Sequence, residues 1–118
     1  KIPETVLNSK SAIAYRQIVN LMKENIDKDL SVQDIAKMCN LSVGNLKKIF
    51  AKYSAYGVKK HFLKLKMLKA VELLQEGYSV LEISERLSFN NQNYFSVVFK
   101  REMGYAPLVY KKKMLEKK

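Results

Sequence analysis

The chain has 118 residues, 47% hydrophobic and 28% charged, enough for one compact domain with its own core. Its 22 Lys and Arg against 11 Asp and Glu give a formal charge of +11, which points to a polyanionic partner, double-stranded DNA ahead of RNA or an anionic membrane surface. Cys39 is the single cysteine and His61 the single histidine, so there is no intrachain disulfide, no metal site and no cofactor to propose, and a reducing, cytoplasmic setting is expected.

Other classes find little support. No apolar run reaches the ~20 residues of a membrane span, and no signal peptide is visible. There is no Cys/His pair at catalytic spacing, no glycine-rich phosphate loop and no carboxylate cluster, so no enzyme is expected. Four glycines and two prolines argue against long irregular loops and for helix. The start at Lys1, without a methionine, suggests a fragment of a longer protein.

In chain order, residues 1–10 read as an N-terminal arm or linker remnant. Ser11 is the expected N-cap of a first helix, in which Ala14, Ile18, Leu21 and Met22 share one face as far as Asn25. Asp27-Lys28-Asp29 reads as a polar turn. Ser31-Val32-Gln33-Asp34 is a capping-box start, and behind it Ile35, Ala36 and Cys39 face inward on a short second helix. Asn40-Leu41 makes a turn and Ser42 caps a third helix. There Leu46, Ile49, Phe50 and Tyr53 form the inner stripe; Gly44, Lys47, Lys48 and Ala51 form the outer one, with Lys52 at its margin. A short helix, a tight turn and a second helix with a small, basic outer face make a helix-turn-helix pattern.

A long fourth helix is expected over 58–76, with Phe62, Leu65, Leu68 or Lys69, and Leu73 on one line and Leu63, Met67, Ala70, Val71 and Leu74 beside it. Apolar residues over so much of its circumference mark a buried connector, and Gly77 suits its C-terminal end. The earlier pattern then returns. Ser79-Val80-Leu81-Glu82 is a second capping box; Ile83, Ser84, Leu87 and Phe89 take the places of Ile35, Ala36, Cys39 and Leu41. Asp34 and Glu82 lie 48 apart and Phe50 and Phe99 49 apart, an internal repeat of the whole motif.

The second unit holds the stretch Phe89–Gly104. As a helix capped by Asn90 or Asn91, it turns Phe95, Val98 and Phe99 inward. Asn93, Ser96, Val97 and Lys100 face the other way, with Gln92 and Arg101 beside them. Neutral amides pair with base edges and cations suit phosphates, the polarity of a helix lying in a DNA groove. The turn before it needs φ > 0 at Ser88, which costs an L-residue on the order of 1–2 kcal/mol, so Ser88→Gly is expected to raise stability. Pro107 opens a last helix with Tyr110 and Met114 inside, and lysines end the chain. The fold class is all-α: homeodomain-like three-helical units over 11–56 and 78–115, joined by the 57–77 connector.

The run Ile83-Ser84-x-x-x-Ser88-Phe89, followed by Asn93-Tyr94-Phe95-Ser96-x-x-Phe99-Lys100-Arg101-x-x-Gly104-x-x-Pro107-x-x-Tyr110-Lys111, resembles the signature of AraC/XylS-type transcription regulators. The resemblance covers roughly residues 11–115 and implies a seven-helix domain with two helix-turn-helix units. It also implies a partner domain for sensing or dimerisation N-terminal to this chain, RNA polymerase as a further partner, and activation as the commoner role. The first repeat departs from the family: Ala55, Gly57, Val58, His61, Phe62 and Lys66 stand where Gly-x-Ser-Pro-x-x-Tyr-Leu-x-x-x-Arg is usual; in the second turn Ser84 and Ser88 replace the usual Ala and Gly.

Carried over by position, the residues facing bases are Gly44, Lys47 and Lys48 in the first unit and Gln92, Asn93 and Val97 in the second. Gln and Asn pair with adenine, Lys with guanine, and Val97 offers a methyl contact to thymine; each good bidentate pair discriminates by about 1–3 kcal/mol. Ser42, Lys52, Ser96, Lys100 and Arg101 are assigned to phosphates. The competing reading makes Gln92 and Asn93 capping amides, the lysines a solvated face, and the chain a basic protein-interaction or non-specific nucleic-acid-binding module. Salt-sensitive binding to duplex DNA separates the two. In the family the two reading helices enter successive major-groove segments, ~34 Å apart; a connector helix over 58–76 would span roughly 28 Å.

Overall fold

A computed structural model of the protein describes residues 9–116. Residues 1–8, most of the expected arm, and the last two lysines lie outside the described residues. Within them the chain forms seven helices and no strand: α1 Lys10–Glu24, α2 Val32–Met38, α3 Val43–Tyr53, α4 Val58–Gln75, α5 Val80–Arg86, α6 Gln92–Met103 and α7 Pro107–Glu116. Two compact units are present. Unit 1 comprises Lys1–Asn25 and Leu30–Leu63, and unit 2 comprises Ile26–Asp29 and Lys64–Lys118. The first helix begins earlier than its sequence suggests. Ser9, not Ser11, is the N-cap, its Oγ accepting from the Ala12 N–H at 3.2 Å, while Ser11 instead holds the Tyr53 hydroxyl at 2.6 Å.

In unit 1, α1 and α2 both pack on α3. Its core is Ala12, Ile18, Met22, Ile35, Ala36, Leu46 and Phe50, closed by Val58 and Phe62 from the start of α4. Around Phe50 lie Tyr15 and His61, both edge-on, at 5.2 and 5.3 Å. His61 is thus a half-buried ring packed against the core, and its Nδ1 shares a 2.9 Å hydrogen bond with Ser54 Oγ, just past the end of α3. Burial, with Lys23 nearby, holds its pKa below the ordinary 6.5.

In unit 2, α5 and α7 pack on α6. Met67, Ala70, Leu73, Leu74, Val80, Ile83, Leu87, Phe95, Val98, Phe99 and Pro107 are buried. Rings form a continuous seam, Phe89 to Phe95 at 5.1 Å, Phe95 to Phe99 at 5.8 Å and Phe99 to Tyr110 at 5.5 Å.

The buried stripe of α4 corrects the connector reading at two places. Leu68, read as a possible core position, is 58% exposed, whereas Lys66 is only 6% exposed. The helical repeat explains both, because Phe62, Lys66, Ala70 and Leu73 follow one another at i, i+4, i+8 and i+11 on one face, and Leu68 falls on the other. Lys66 is tolerated inside because its ammonium donates to the Leu87 carbonyl at 2.5 Å and the Lys28 carbonyl at 2.7 Å. It also lies 5.8 Å from the Phe89 ring centroid.

Both short helices start on reciprocal capping boxes. Ser31 Oγ accepts from the Asp34 N–H at 3.0 Å while Asp34 Oδ2 accepts from the Ser31 N–H at 2.9 Å; the Ser79 and Glu82 pair repeats this at 3.1 and 3.0 Å. The backbone N–H bonds, then the serine hydroxyls, hold both carboxyl groups below their ordinary 3.8 and 4.5. A carboxyl with a depressed folded pKa contributes stability above its unfolded pKa and loses it as pH falls through the folded value. His61, lowered from 6.5, adds a loss of the same sign at milder acidity, since the unfolded chain takes up the proton first. Stability is therefore expected to decline from about pH 6.5 downward, with a second decline below about pH 4.5. Urea midpoints across pH 3–8 test this: Asp34→Asn with Glu82→Gln should flatten the lower step and leave the upper one.

Each short helix ends in the same reversal. The Leu41 N–H donates to Ala36 O and the Phe89 N–H to Ser84 O, both at 2.9 Å, around the positive-φ residues Asn40 (φ 56°) and Ser88 (φ 58°). The left-handed turn at Ser88 is as expected, but the Ser88→Gly prediction changes, because Ser88 Oγ donates to the Asp27 carbonyl. Relief of about 1–2 kcal/mol of strain is offset by the lost hydrogen bond, about 0.5–1.5 kcal/mol. Added chain entropy opposes it by a further ~0.5–1 kcal/mol. Ser88→Gly should leave the urea midpoint nearly unchanged, and Ser88→Ala, which keeps the strain and loses the bond, should lower it. A Ser88→Ala midpoint at or above that of the wild type would show that the Asp27 bond contributes nothing.

Candidate nucleic-acid interface

The repeat positions two helices by the same rules. Ser42 Oγ accepts from the Asn45 N–H at 3.1 Å to start α3; Asn91 Oδ1 accepts from the Tyr94 N–H at 2.7 Å to start α6. Asn91 is thus the cap, and Asn90 lies outside the helix. The two helices begin 49 residues apart, so their positions correspond one to one. Leu46 matches Phe95 and Phe50 matches Phe99, all four buried, which turns the equivalent opposite faces outward.

On α3 that outward face carries Gly44, Lys47, Lys48, Ala51 and Lys52, every one exposed. The cap residue Ser42 is exposed too, although its hydroxyl is already engaged by the Asn45 N–H. No heavy atom lies closer than 4.0 Å to a Cβ built on Gly44, so the helix is bare there. Lys52 lies 5.3 Å from the ring centroid of Tyr53. Tyr53 in turn bonds the hydroxyls of Ser11 and Ser9 at 2.6 and 3.1 Å, which fixes the end of α3 to the start of α1. Those two bonds hold the Tyr53 pKa below its ordinary 10.0.

On α6 the outward face carries Gln92, Asn93, Val97, Lys100 and Arg101, all exposed, with Ser96 half-buried. Val97 is 64% exposed. Arg101 Nε donates to Glu102 Oε2 at 3.0 Å, and Lys64 pairs with the other oxygen of Glu102 at 3.5 Å. The left-handed Gly104, φ 92°, ends the helix.

Two residues of these faces escape a reading by residue type. Asn45 and Tyr94 occupy equivalent third positions of α3 and α6, both exposed, Tyr94 by 52%. Their positions three residues after the caps Ser42 and Asn91 are the sequence signal that marks them. The structure also brings the candidate residues together by unit: Gly44, Lys47, Lys48 and Lys52 on one helix, Gln92, Asn93, Val97, Lys100 and Arg101 on the other. Among the described residues no group of three or more His, Cys, Asp or Glu side chains is arranged to hold a metal ion. No helix of the described residues is long and apolar enough to cross a membrane.

A family described as a helix-turn-helix domain matches residues 35–113, two-thirds of the chain and both motifs. A solved AraC-type regulator structure from Chromobacterium violaceum superposes with a TM-score of 0.80 at 27% identity, over 90% of this chain and 96% of that one. The chain belongs to the AraC-type helix-turn-helix family. The DNA-binding domain of AdpA, solved in complex with a target DNA, shares the fold of this AraC-type domain, with a TM-score of 0.78 at 20% identity over 87% of this chain and 94% of that one. The Msm operon regulatory protein of Streptococcus mutans is 32% identical over 108 residues, which is 91% of this chain but 39% of that protein. The AraC-type domain thus spans well under half the length of that curated relative.

Proposed function

We propose that this AraC-type domain binds double-stranded DNA in a sequence-specific way as part of a bacterial transcription regulator, with α3 and α6 in successive major-groove segments. The observation that carries the reading is the pair of equivalently capped, equivalently buried helices whose outward faces hold amides and cations and no acid among the candidate positions. Gly44, Lys47, Lys48, Gln92, Asn93 and Val97 face base edges in this proposal. Ser96, Lys52, Lys100 and Arg101 take phosphates. Ser42 does so by donating its O–H, since capping engages its oxygen only as an acceptor. Sensing or dimerisation, contact with RNA polymerase and an activating role belong to the whole regulator in this reading, supported by the family resemblance.

Selection of bound duplexes from a random pool tests it directly. A defined site should emerge, bound with an affinity that falls steeply as salt rises. Recovery of no enriched sequence, with weak binding to every duplex, would favour the non-specific module; no salt-sensitive binding at all would favour a protein-interaction domain.

A further inference from the structure

We infer that the two units divide the task of recognition: unit 1 anchors the domain on DNA mainly by charge, and unit 2 supplies most of the sequence discrimination, biased toward A·T pairs. The inference rests on the DNA-binding proposal and refines it: Lys47 and Lys48, placed at the groove there, act mainly through charge. It comes from comparing equivalent positions, which the shared 49-residue offset makes possible.

The backbone frames of α3 and α6 are alike, but the chemistry on them is not. Gly44 stands where unit 2 has Asn93, Lys47 where it has Ser96, Lys48 where it has Val97 and Ala51 where it has Lys100. Unit 1 therefore presents Lys47, Lys48 and Lys52 around bare helix backbone at Gly44, with Asn45 as the one exposed amide of α3. Lysine is a flexible point charge that finds phosphates as readily as guanine edges, and it fixes no geometry. Unit 2 presents Gln92, Asn93, Tyr94 and Val97, neutral groups of defined shape. An amide pairs bidentately with adenine N6 and N7, and an exposed valine has a complementary surface in the thymine methyl.

The overall charge is divided the same way. Unit 1 holds 10 basic against 3 acidic residues, a net +7, whereas unit 2 holds 12 against 8, a net +4. Part of the cationic charge in unit 2 is also committed within the fold. Lys66 is buried on two carbonyls, and Lys64 and Lys69 pair with Glu102 and Glu72. The field that draws in a polyanion is therefore concentrated on the unit whose reading helix is poorest in base-specific groups.

The test uses this chain and the duplex selected above, with affinity measured by fluorescence anisotropy between 50 and 300 mM KCl. Lys47→Met with Lys48→Met should shallow the salt slope by about 1–2 and weaken selected and scrambled duplexes alike, changing their ratio less than threefold. Replacing thymines by uracil, one at a time, should cost the wild type about fourfold at one position, and should cost Val97→Ala less than twofold there. Circular dichroism confirms that each variant is folded. If the lysine pair instead removes tenfold or more of the discrimination, or if no uracil position distinguishes Val97→Ala from wild type, the division of labour is overturned although DNA binding stands. If the wild type shows no salt-dependent duplex binding, the underlying proposal fails first, which keeps the two failures apart.

Discussion

Lys66→Met should destabilise unit 2 markedly. The side chain is nearly as large, apolar and fit for the buried stripe of α4, so a reading by hydrophobicity expects a gain. The hydrogen bonds argue the reverse. The ammonium donates to the carbonyl of Leu87, which ends α5, and to that of Lys28 in the loop between α1 and α2. Bonds from a charged donor contribute about 1.5–3 kcal/mol each, and a carbonyl that loses its partner inside the fold keeps its desolvation cost. Part is returned because a buried cation no longer has to be desolvated. The net expected loss is about 2–4 kcal/mol, a large share of the ~5–15 kcal/mol that holds a domain together. Lys66→Arg keeps the charge and offers a fork of donors, so it should recover most of that loss. Urea unfolding followed by helical circular dichroism measures both; a Lys66→Met midpoint equal to wild type would mean the two bonds are not what holds the residue inside.

Gln92→Ala combined with Asn93→Ala should produce the largest functional change. Both residues lie in the first turn of α6, exposed, and the cap comes from Asn91 rather than from either of them. Removing them should therefore cost little stability. If each pairs with a base, about 1–3 kcal/mol of discrimination is lost per residue. The preference for the selected site over a scrambled one should then fall by at least tenfold. Lys100→Ala, about two helix turns further along the same face, is the contrast. It should weaken both duplexes about equally and shallow the salt slope by about one. Competition binding at two salt concentrations separates these outcomes. Full discrimination in the double variant would remove α6 from the role of reader.

The sequence by itself determined most of the frame. The two S-x-x-D/E boxes, the apolar periods of α2, α3, α5 and α6, and the repeat near 49 residues all encode local structure. Local hydrogen bonds and a 3.6-residue period are written in neighbouring residues, so Ser31, Ser42, Ser79, Leu46, Phe50, Phe95 and Phe99 fall where their spacing places them. The outward faces follow by the same geometry, since fixing which residues are buried fixes which are exposed. Gly44, Lys47, Asn93 and Val97 were legible for that reason.

Only the tertiary structure decided what depends on partners distant in the chain. Lys66 is buried because Lys28 and Leu87, 38 and 21 residues away, each turn a carbonyl toward it. Ser88 keeps its left-handed turn with help from Asp27, 61 residues earlier. Ser9 rather than Ser11 starts α1, and Ser11 bonds Tyr53 across 42 residues. Composition assigns a lysine to the surface and a serine to whichever cap is nearest, because on average exposed charge and local capping cost least. A buried carbonyl or a distant hydroxyl changes that balance by a few kcal/mol, and nothing in the neighbouring residues announces it.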